Sequence, residues 1–174
     1  MPHIPKPEPG EYAPYTIMYI SLLPDDGQVL RHLRKNLDET LAFIRTFPAE
    51  KLTTPCAPGE WTIQEILIHI TDTERIFAYR ALRIARGDTT PLPGFEQDDY
   101  VPNSGANART PASIVDEFEA VREATIHLFK NFSDNMWERR GTASNAEVTV
   151  TALAFITAGH WEHHLRVIRE RYLS

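Results

Sequence analysis

Hydrophobic positions recur at three- and four-residue intervals along most of this 174-residue chain, which is the period of an amphipathic helix. The first such stretch runs from about Asp26 to Phe47, and Pro48 ends it. The second opens with Thr62 and Glu65, which form a capping box, and continues to about Arg86. The pattern therefore predicts two long helices in the first half of the chain.

The second half of the chain carries two further helical stretches. One begins at Thr110 and Pro111, a cap residue followed by proline at the first helical position. Its apolar face is predicted to carry Ile114, Phe118, Val121, Thr125 and Leu128. The other runs from about Thr149 to Tyr172, after a short helical turn over 133–139. No segment shows strand alternation with hairpin signals, so the chain is predicted to be all-α, a four-helix bundle with antiparallel or crossover connections.

Two proline-containing segments lie outside these helices. Residues 1–24 hold six prolines and are predicted to form an extended arm that docks on the domain without regular structure. Residues 88–109, between the second and third helices, are long for a connection, and we expect a folded loop over one end of the bundle. The length favours a single domain over 1–174, with the arm followed by a helical bundle over 25–174.

Composition narrows the class of protein. The formal net charge is -6, which argues against a nucleic-acid partner because such proteins usually present a basic face. The start of the sequence lacks a signal-peptide pattern, and its most apolar stretch is too short to span a membrane. The single cysteine, Cys56, cannot form an internal disulfide or a cysteine-rich zinc site. We therefore expect a cytoplasmic protein without membrane or nucleic-acid partners.

Three of the seven histidines lie within five residues of the fourth helix. At roughly 100° per residue, His160 and His164 lie at the centre of the buried face and His163 lies at its flank. An i, i+4 histidine pair presents two imidazoles side by side, which suits zinc and similar ions. The alternative is that these imidazoles are core residues satisfied by hydrogen bonds alone.

A third imidazole, that of His69, lies at the edge of the apolar stripe of the second helix. Three histidine ligands leave a coordination position for water or substrate, as in catalytic sites. They suit Zn, Ni, Fe or Cu better than Mg or Ca, and of these we expect Zn or Ni, with Fe next. Asp72 shares the flank of His69 and is a candidate catalytic residue. It could orient an imidazole or handle protons, coordinate the metal directly, or only form an ion pair with Arg75 or Arg80.

These motifs resemble those of the DinB/YfiT-like family. Residues 58–72, PGEWTIQEILIHITD, are similar to its P-G-x-W-T-x-x-E/Q-x-x-x-H-x-x-D signature, and residues 158–164, AGHWEHH, resemble its closing H-x-x-H-H element. The loop segment 95–101 and the arm segment 7–12 are compatible with the same family. The resemblance implies a four-helix bundle with a crossover connection, His69, His160 and His164 as ligands of one divalent metal, and a possible homodimer.

The resemblance leaves three functions open. In the first, the metal holds a low-molecular-weight thiol that attacks an electrophile lodged under the 88–109 loop, so the protein is a metal-dependent thiol transferase. In the second, the metal activates water for hydrolysis, with Asp72 or an acid from the Glu96–Asp99 stretch handling protons. In the third, the metal is a non-catalytic element that joins the second helix to the fourth.

Phe155, Leu165 and Leu173 are expected to pack against another subunit or under the arm.

Overall fold

The structure, a computed structural model, describes residues 3–44 and 47–173. The sequence analysis predicts that the first helix ends at Phe47. The structure describes this helix as far as Ile44, and residues 45 and 46 lie outside the described residues. In chain order the elements are a 3₁₀ turn (Pro14–Thr16), α1 (Ile17–Ile20), α2 (Val29–Ile44), α3 (Ala49–Leu52), α4 (Ile63–Ala85), α5 (Gln97–Asn103), a second 3₁₀ turn (Ala106–Ala108), α6 (Pro111–Lys130), α7 (Asp134–Trp137), β1 (Arg140–Ala143), β2 (Ala146–Thr149) and α8 (Val150–Tyr172).

The predicted helix starts of α4 and α6 are confirmed by their caps. At α4 the Thr62 hydroxyl accepts a hydrogen bond from the Glu65 N–H at 3.1 Å, and the Glu65 carboxylate accepts one from the Thr62 N–H at 2.7 Å. At α6 the Thr110 hydroxyl accepts from the Ser113 N–H at 3.2 Å. These bonds satisfy backbone donors that have no partner within the helix.

The four long helices form a bundle in which α2 and α4 each pack against both α6 and α8. One core cluster joins the beginnings of α2 and α8 to the ends of α4 and α6, and a second cluster joins the opposite ends of the same helices. The neighbours α4 and α6 are therefore parallel, whereas α4 and α8 are antiparallel. This arrangement confirms the predicted four-helix bundle with a crossover connection.

The crossover is the segment between α4 and α6, because parallel neighbours need a connection that returns along their whole length. Leu92 belongs to one core cluster and Ala106 to the other, and Gln64 at the start of α4 donates a hydrogen bond to the Ala106 carbonyl at 2.8 Å. The expectation of a loop over one end of the bundle was wrong, since the segment runs from one end to the other.

A two-stranded hairpin before α8 was also missed by the sequence analysis. β1 and β2 are antiparallel, and the crossover residue Leu92 pairs alongside Ala143 of β1. The hairpin turns at Ser144 and Asn145, whose φ angles of 51° and 62° are those of the tight two-residue turns typical of hairpins. Strands of four residues are too short to give a clear alternation of apolar and polar positions.

The N-terminal arm docks on the bundle as predicted, with Ile4, Tyr12, Ile20 and Leu23 all buried. The prediction that it lacks regular structure was wrong, because the arm contains a 3₁₀ turn and α1. Proline is tolerated in the first turn of a helix, where its missing N–H would have no partner. The proline-free stretch that follows Pro14 can then continue as a helix.

The arm contacts α8 closely at Gly159. A Cβ atom added to Gly159 would lie 2.2 Å from the Tyr19 carbonyl oxygen, which is a backbone atom and cannot rotate away. Of the two arrangements expected for Phe155 and Leu165, packing against another subunit was wrong, because both are buried within this chain. Phe155 belongs to the same core cluster as the arm residue Ile20, in agreement with the alternative that it lies under the arm. Leu173 is exposed.

Replacing Gly159 with alanine is expected to destabilise the protein by about 1–3 kcal/mol, since the new methyl group pushes α1 away from α8. Helix propensity alone predicts the opposite sign, because alanine is favoured over glycine inside a helix by about 1 kcal/mol. Urea unfolding of both proteins measures the difference. An equal or higher free energy of unfolding for the variant would contradict this packing.

A buried ion pair joins the helices near the middle of the bundle. Arg122 of α6 is fully buried and donates to both carboxylate oxygens of Glu74 of α4, at 2.8–3.0 Å, and to the Leu33 carbonyl of α2 at 3.0 Å. One guanidinium therefore links three helices.

Among the described residues, no helix has both the length and the hydropathy needed to cross a membrane.

Candidate metal centre

The three histidines predicted as metal ligands meet between α4 and α8. His69 lies in the first third of α4, and His160 and His164 lie one turn apart near the middle of α8. The antiparallel packing of these two helices brings the third imidazole against the i, i+4 pair. The structure therefore places together all three residues that the sequence analysis selected.

The imidazoles meet through their Nε2 atoms. The Nε2 of His160 lies 3.1 Å from that of His69 and 3.1 Å from that of His164. The Thr73 hydroxyl lies 3.5 Å from the other ring nitrogen of His69, Nδ1, so that the Nε2 of this ring points to the centre. Three inward nitrogens cannot all be satisfied by one another, because each neutral imidazole carries only one N–H.

Burial keeps these imidazoles neutral. Loss of solvent lowers the pKa of His69 to about 4 and that of His164, with further help from its histidine neighbours, to about 3. The same cause lowers the pKa of His160 well below its ordinary value. A neutral imidazole is the form that binds a metal, so the three lone pairs are available at neutral pH.

Aromatic rings surround the cluster and hold its orientation. Trp61 lies 5.0 Å from the His69 ring, and Tyr19 of the arm contacts the His160 ring edge-on at 5.2 Å. His163, predicted to lie at the flank, contacts Tyr19 and the ring of His164 edge-on and is not part of the converging group.

The donor set fits a divalent transition metal. One ligand nitrogen from each of the three histidines lies within 4.8 Å of the others, and tetrahedral ligation at 2.0–2.1 Å requires separations of about 3.4 Å between nitrogens. Three imidazoles suit Zn, Ni or Fe, and they do not suit Mg or Ca, which prefer oxygen ligands. The arrangement can hold one ion and leave a coordination position for another molecule.

Asp72 lies apart from the imidazole nitrogens. Its carboxylate accepts a hydrogen bond from Arg75 at 3.2 Å, and Arg75 also contacts Glu117 at 2.6 Å. Burial raises the pKa of Asp72. Among the described residues Asp72 makes no hydrogen bond to a histidine. Of the arrangements expected for it, the ion pair with Arg75 is observed. A role in proton handling stays a prediction.

A cavity of about 250 Å³ opens beside His160. The wall next to the imidazole is formed by Tyr19, Thr73 and Phe77, and by Leu153 and Ile156 of α8. The arm, the crossover segment and the hairpin complete its sides. Of the three histidines, His160 is the one that lines this cavity, and the space is large enough for a small molecule.

The far part of the cavity is polar. Glu96 and Asp98 of the crossover, Glu147 of β2 and Arg80 of α4 line it. The sequence analysis named the Glu96–Asp99 stretch as a source of acids, but it considered Arg80 only as an ion-pair partner of Asp72. No sequence signal marks Arg80 as a cavity residue, because the arm, α4, the crossover segment, the hairpin and α8 together form the cavity.

The fold and the site together define a helical bundle with a histidine triad, one member of which, His160, lines a cavity. Residues 32–168 match the model of the DinB superfamily, and the chain belongs to this family.

Two relatives are described as metal-dependent hydrolases. The protein named "Putative metal-dependent hydrolase OB0413" from Oceanobacillus iheyensis is 26% identical over 122 residues, which is 69% of each chain. YfiT from Bacillus subtilis, described as a probable metal-dependent hydrolase with an unusual four-helix bundle topology, superposes with a TM-score of 0.69. It is 16% identical, and the match covers 95% of this chain and 90% of YfiT.

A mycothiol-dependent maleylpyruvate isomerase is also similar in structure. Its TM-score is 0.67 at 11% identity, and the match covers 83% of this chain but only 60% of that enzyme. At these identities the two solved structures support the fold alone.

Proposed function

We propose that the protein is a metal-dependent transferase that uses a low-molecular-weight thiol, with His69, His160 and His164 as the ligands of one divalent transition metal. The observation that carries the proposal is the convergence of three neutral Nε2 atoms beside a cavity. A bound divalent metal would supply activation of either a thiol sulfur or a water molecule at neutral pH. Zn or Ni is the metal we expect, with Fe as a further option.

The lining of the cavity supports a thiol rather than water as the nucleophile. Next to His160 the wall consists of the Tyr19 and Phe77 rings, Leu153, Ile156 and one hydroxyl residue, Thr73. This mainly apolar surface suits a polarizable sulfur. Asp72, the candidate proton-handling residue, is engaged with Arg75. In the transfer step the sulfur forms a bond to the electrophilic carbon, the leaving group departs with its bonding pair, and the thiol proton passes to water.

Hydrolysis is the second candidate function, and a separate observation favours it. Glu96 and Asp98 line the same cavity as His160, so carboxylates that could accept a proton from water are present there. The names of the relatives from Oceanobacillus iheyensis and Bacillus subtilis also describe hydrolases. In this candidate the cavity residues orient the scissile group and one of the two carboxylates takes the proton.

Titration of cobalt-substituted protein with a small thiol separates these candidates. We expect 2-mercaptoethanol to add a sulfur-to-cobalt charge-transfer band and to change the visible spectrum, because thiolate is a good ligand for such a metal. Ethanol is the matched control and should change nothing. A spectrum that is insensitive to thiols, together with metal-dependent cleavage of an ester substrate, would favour hydrolysis.

The non-catalytic alternative has its own signature. Metal removal with a chelator should then lower the melting temperature strongly, while thiols have no effect on the metal-loaded protein.

Homodimer formation stays a prediction, and sedimentation velocity measures it.

A further inference from the structure

The α4 wall of the cavity extends away from the histidines to a buried arginine. His69, Thr73, Phe77 and Arg80 follow one another at spacings of four, four and three residues, so they share one face of the helix, and the last three line the cavity. At about 1.5 Å of rise per residue, the Cα atoms of His69 and Arg80 are roughly 16 Å apart. The cavity therefore has an imidazole end and a guanidinium end.

The Arg80 guanidinium is buried without a carboxylate. The residue is 6% exposed. Among the described residues its hydrogen bonds come from Nη2, to the Pro93 carbonyl at 2.7 Å and to the Ser144 hydroxyl at 2.9 Å. The guanidinium carbon also lies 5.9 Å from the centre of the Phe95 ring. Within residues 3–44 and 47–173 no carboxylate forms an ion pair with it. The comparison with Arg122 is direct, since that other buried arginine has Glu74 as its partner.

A buried cation with no counter-charge is costly. Burial lowers the pKa of Arg80, yet a guanidinium remains protonated in proteins, so the positive charge persists. Its Nε and Nη1 N–H groups donate to no acceptor among the described residues, and either can donate a charge-assisted hydrogen bond to a carboxylate oxygen. A carboxylate from a ligand would supply the missing counter-charge.

The other charged groups around the cavity restrict the ligand further. Glu96, Asp98 and Glu147 are exposed, and Glu147 is bound to Arg140. Their charges are weakened by water and salt at the mouth, whereas the charge of Arg80 is not. Arg80 is also the one cation among the described residues that line this cavity. The exposed carboxylates disfavour a second negative charge on the ligand near the mouth.

We propose that Arg80 binds a single carboxylate of the substrate, at the end of the cavity remote from the three histidines. The ligand is then an elongated monoanion that carries its reacting atom at one end and its carboxylate at the other. The identity of the reacting end rests on the proposed function. The carboxylate end rests on Arg80 and does not depend on a metal.

The test compares ω-mercaptoalkanoates of six, eight and ten carbons with the matching ω-mercaptoalcohols, titrated into zinc-loaded protein by calorimetry. We expect the best acid to bind about tenfold or more tightly than its alcohol, which is the size of one charge-assisted hydrogen bond. Arg80→Gln should bring this ratio close to one. Arg83→Gln is the matched control on the same helix and should leave the ratio unchanged.

A purely structural role for Arg80 gives a different result. If Arg80 only holds the crossover and the hairpin, Arg80→Gln will weaken the acid and the alcohol equally, and the proposal is overturned. The wild-type comparison needs no variant to fold, and a ratio near one at all three chain lengths also overturns it. Ser144→Ala removes a contact of Arg80 but keeps the charge, and it should preserve the acid preference.

Octanoate and octanol, titrated into protein stripped of metal, separate this proposal from the function proposed above. A preference for octanoate that Arg80→Gln abolishes supports the carboxylate site even if thiols never bind the metal. Thiol binding without any acid preference would overturn the carboxylate site and leave the transferase proposal standing.

Discussion

Replacing His160 with alanine is expected to reduce bound metal from about one equivalent to nearly none and to lower metal affinity more than a hundredfold. His160 is the central member of the triad, since its Nε2 lies 3.1 Å from both other Nε2 atoms. Its loss leaves two imidazoles on different helices, and two ligands hold such ions weakly. Elemental analysis of protein purified without an affinity tag or added metal measures the change.

His163→Ala is the matched control for this experiment. His163 is on the same helix as His160 and contacts the same Tyr19 ring. Its imidazole does not belong to the converging group of three. We expect it to keep full metal content. Equal metal loss in both variants, or a folded wild type that takes up no metal on titration, would show that the triad is not a metal site.

Replacing Glu74 with glutamine is expected to destabilise the protein by about 3–5 kcal/mol, because it leaves the fully buried Arg122 without its counter-charge. The amide that replaces the carboxylate can still accept a hydrogen bond, but it cannot balance the positive charge. Urea unfolding followed by circular dichroism gives the free energy of unfolding.

Two comparisons isolate the buried charge as the cause. Glu60→Gln makes the same chemical change in the exposed pair with Arg171, where solvent screens the interaction, and it should have little effect. The double variant Glu74→Leu with Arg122→Met removes both charges and should be more stable than Glu74→Gln alone. A double variant less stable than the single one would indicate that the charged pair itself stabilises the bundle.

The parts of the fold that the sequence predicted are those decided by local chemistry. The caps at Thr62 and Thr110 each mark a helix start through hydrogen bonds made within a few residues. The pairing of His160 with His164 also follows from helical spacing alone. Each of these could be located without knowing which helices are neighbours.

The parts that the sequence missed depend on tertiary packing. The predicted stripe of α6 included Val121 and Leu128, which are only partly buried, and it omitted Arg122, which is fully buried. Hydrophobic patterning assigns a charged residue to the surface, so it could not show that Glu74 on another helix makes this position an interior one. The lining of the cavity could not be predicted for a similar reason, since segments distant in sequence build it. The hairpin was missed because its strands are too short to show alternation.

The contact of α1 with Gly159 has a consequence for how the protein is made. The arm supplies Tyr19 to the histidine cluster, yet it leaves the ribosome long before α8, against which it packs. Contacts between segments so far apart in sequence form late, because a long stretch of chain must first be ordered. During synthesis the apolar side of α1 therefore stays unpacked until α8 has emerged from the ribosome. The wall of the cavity forms only after that point.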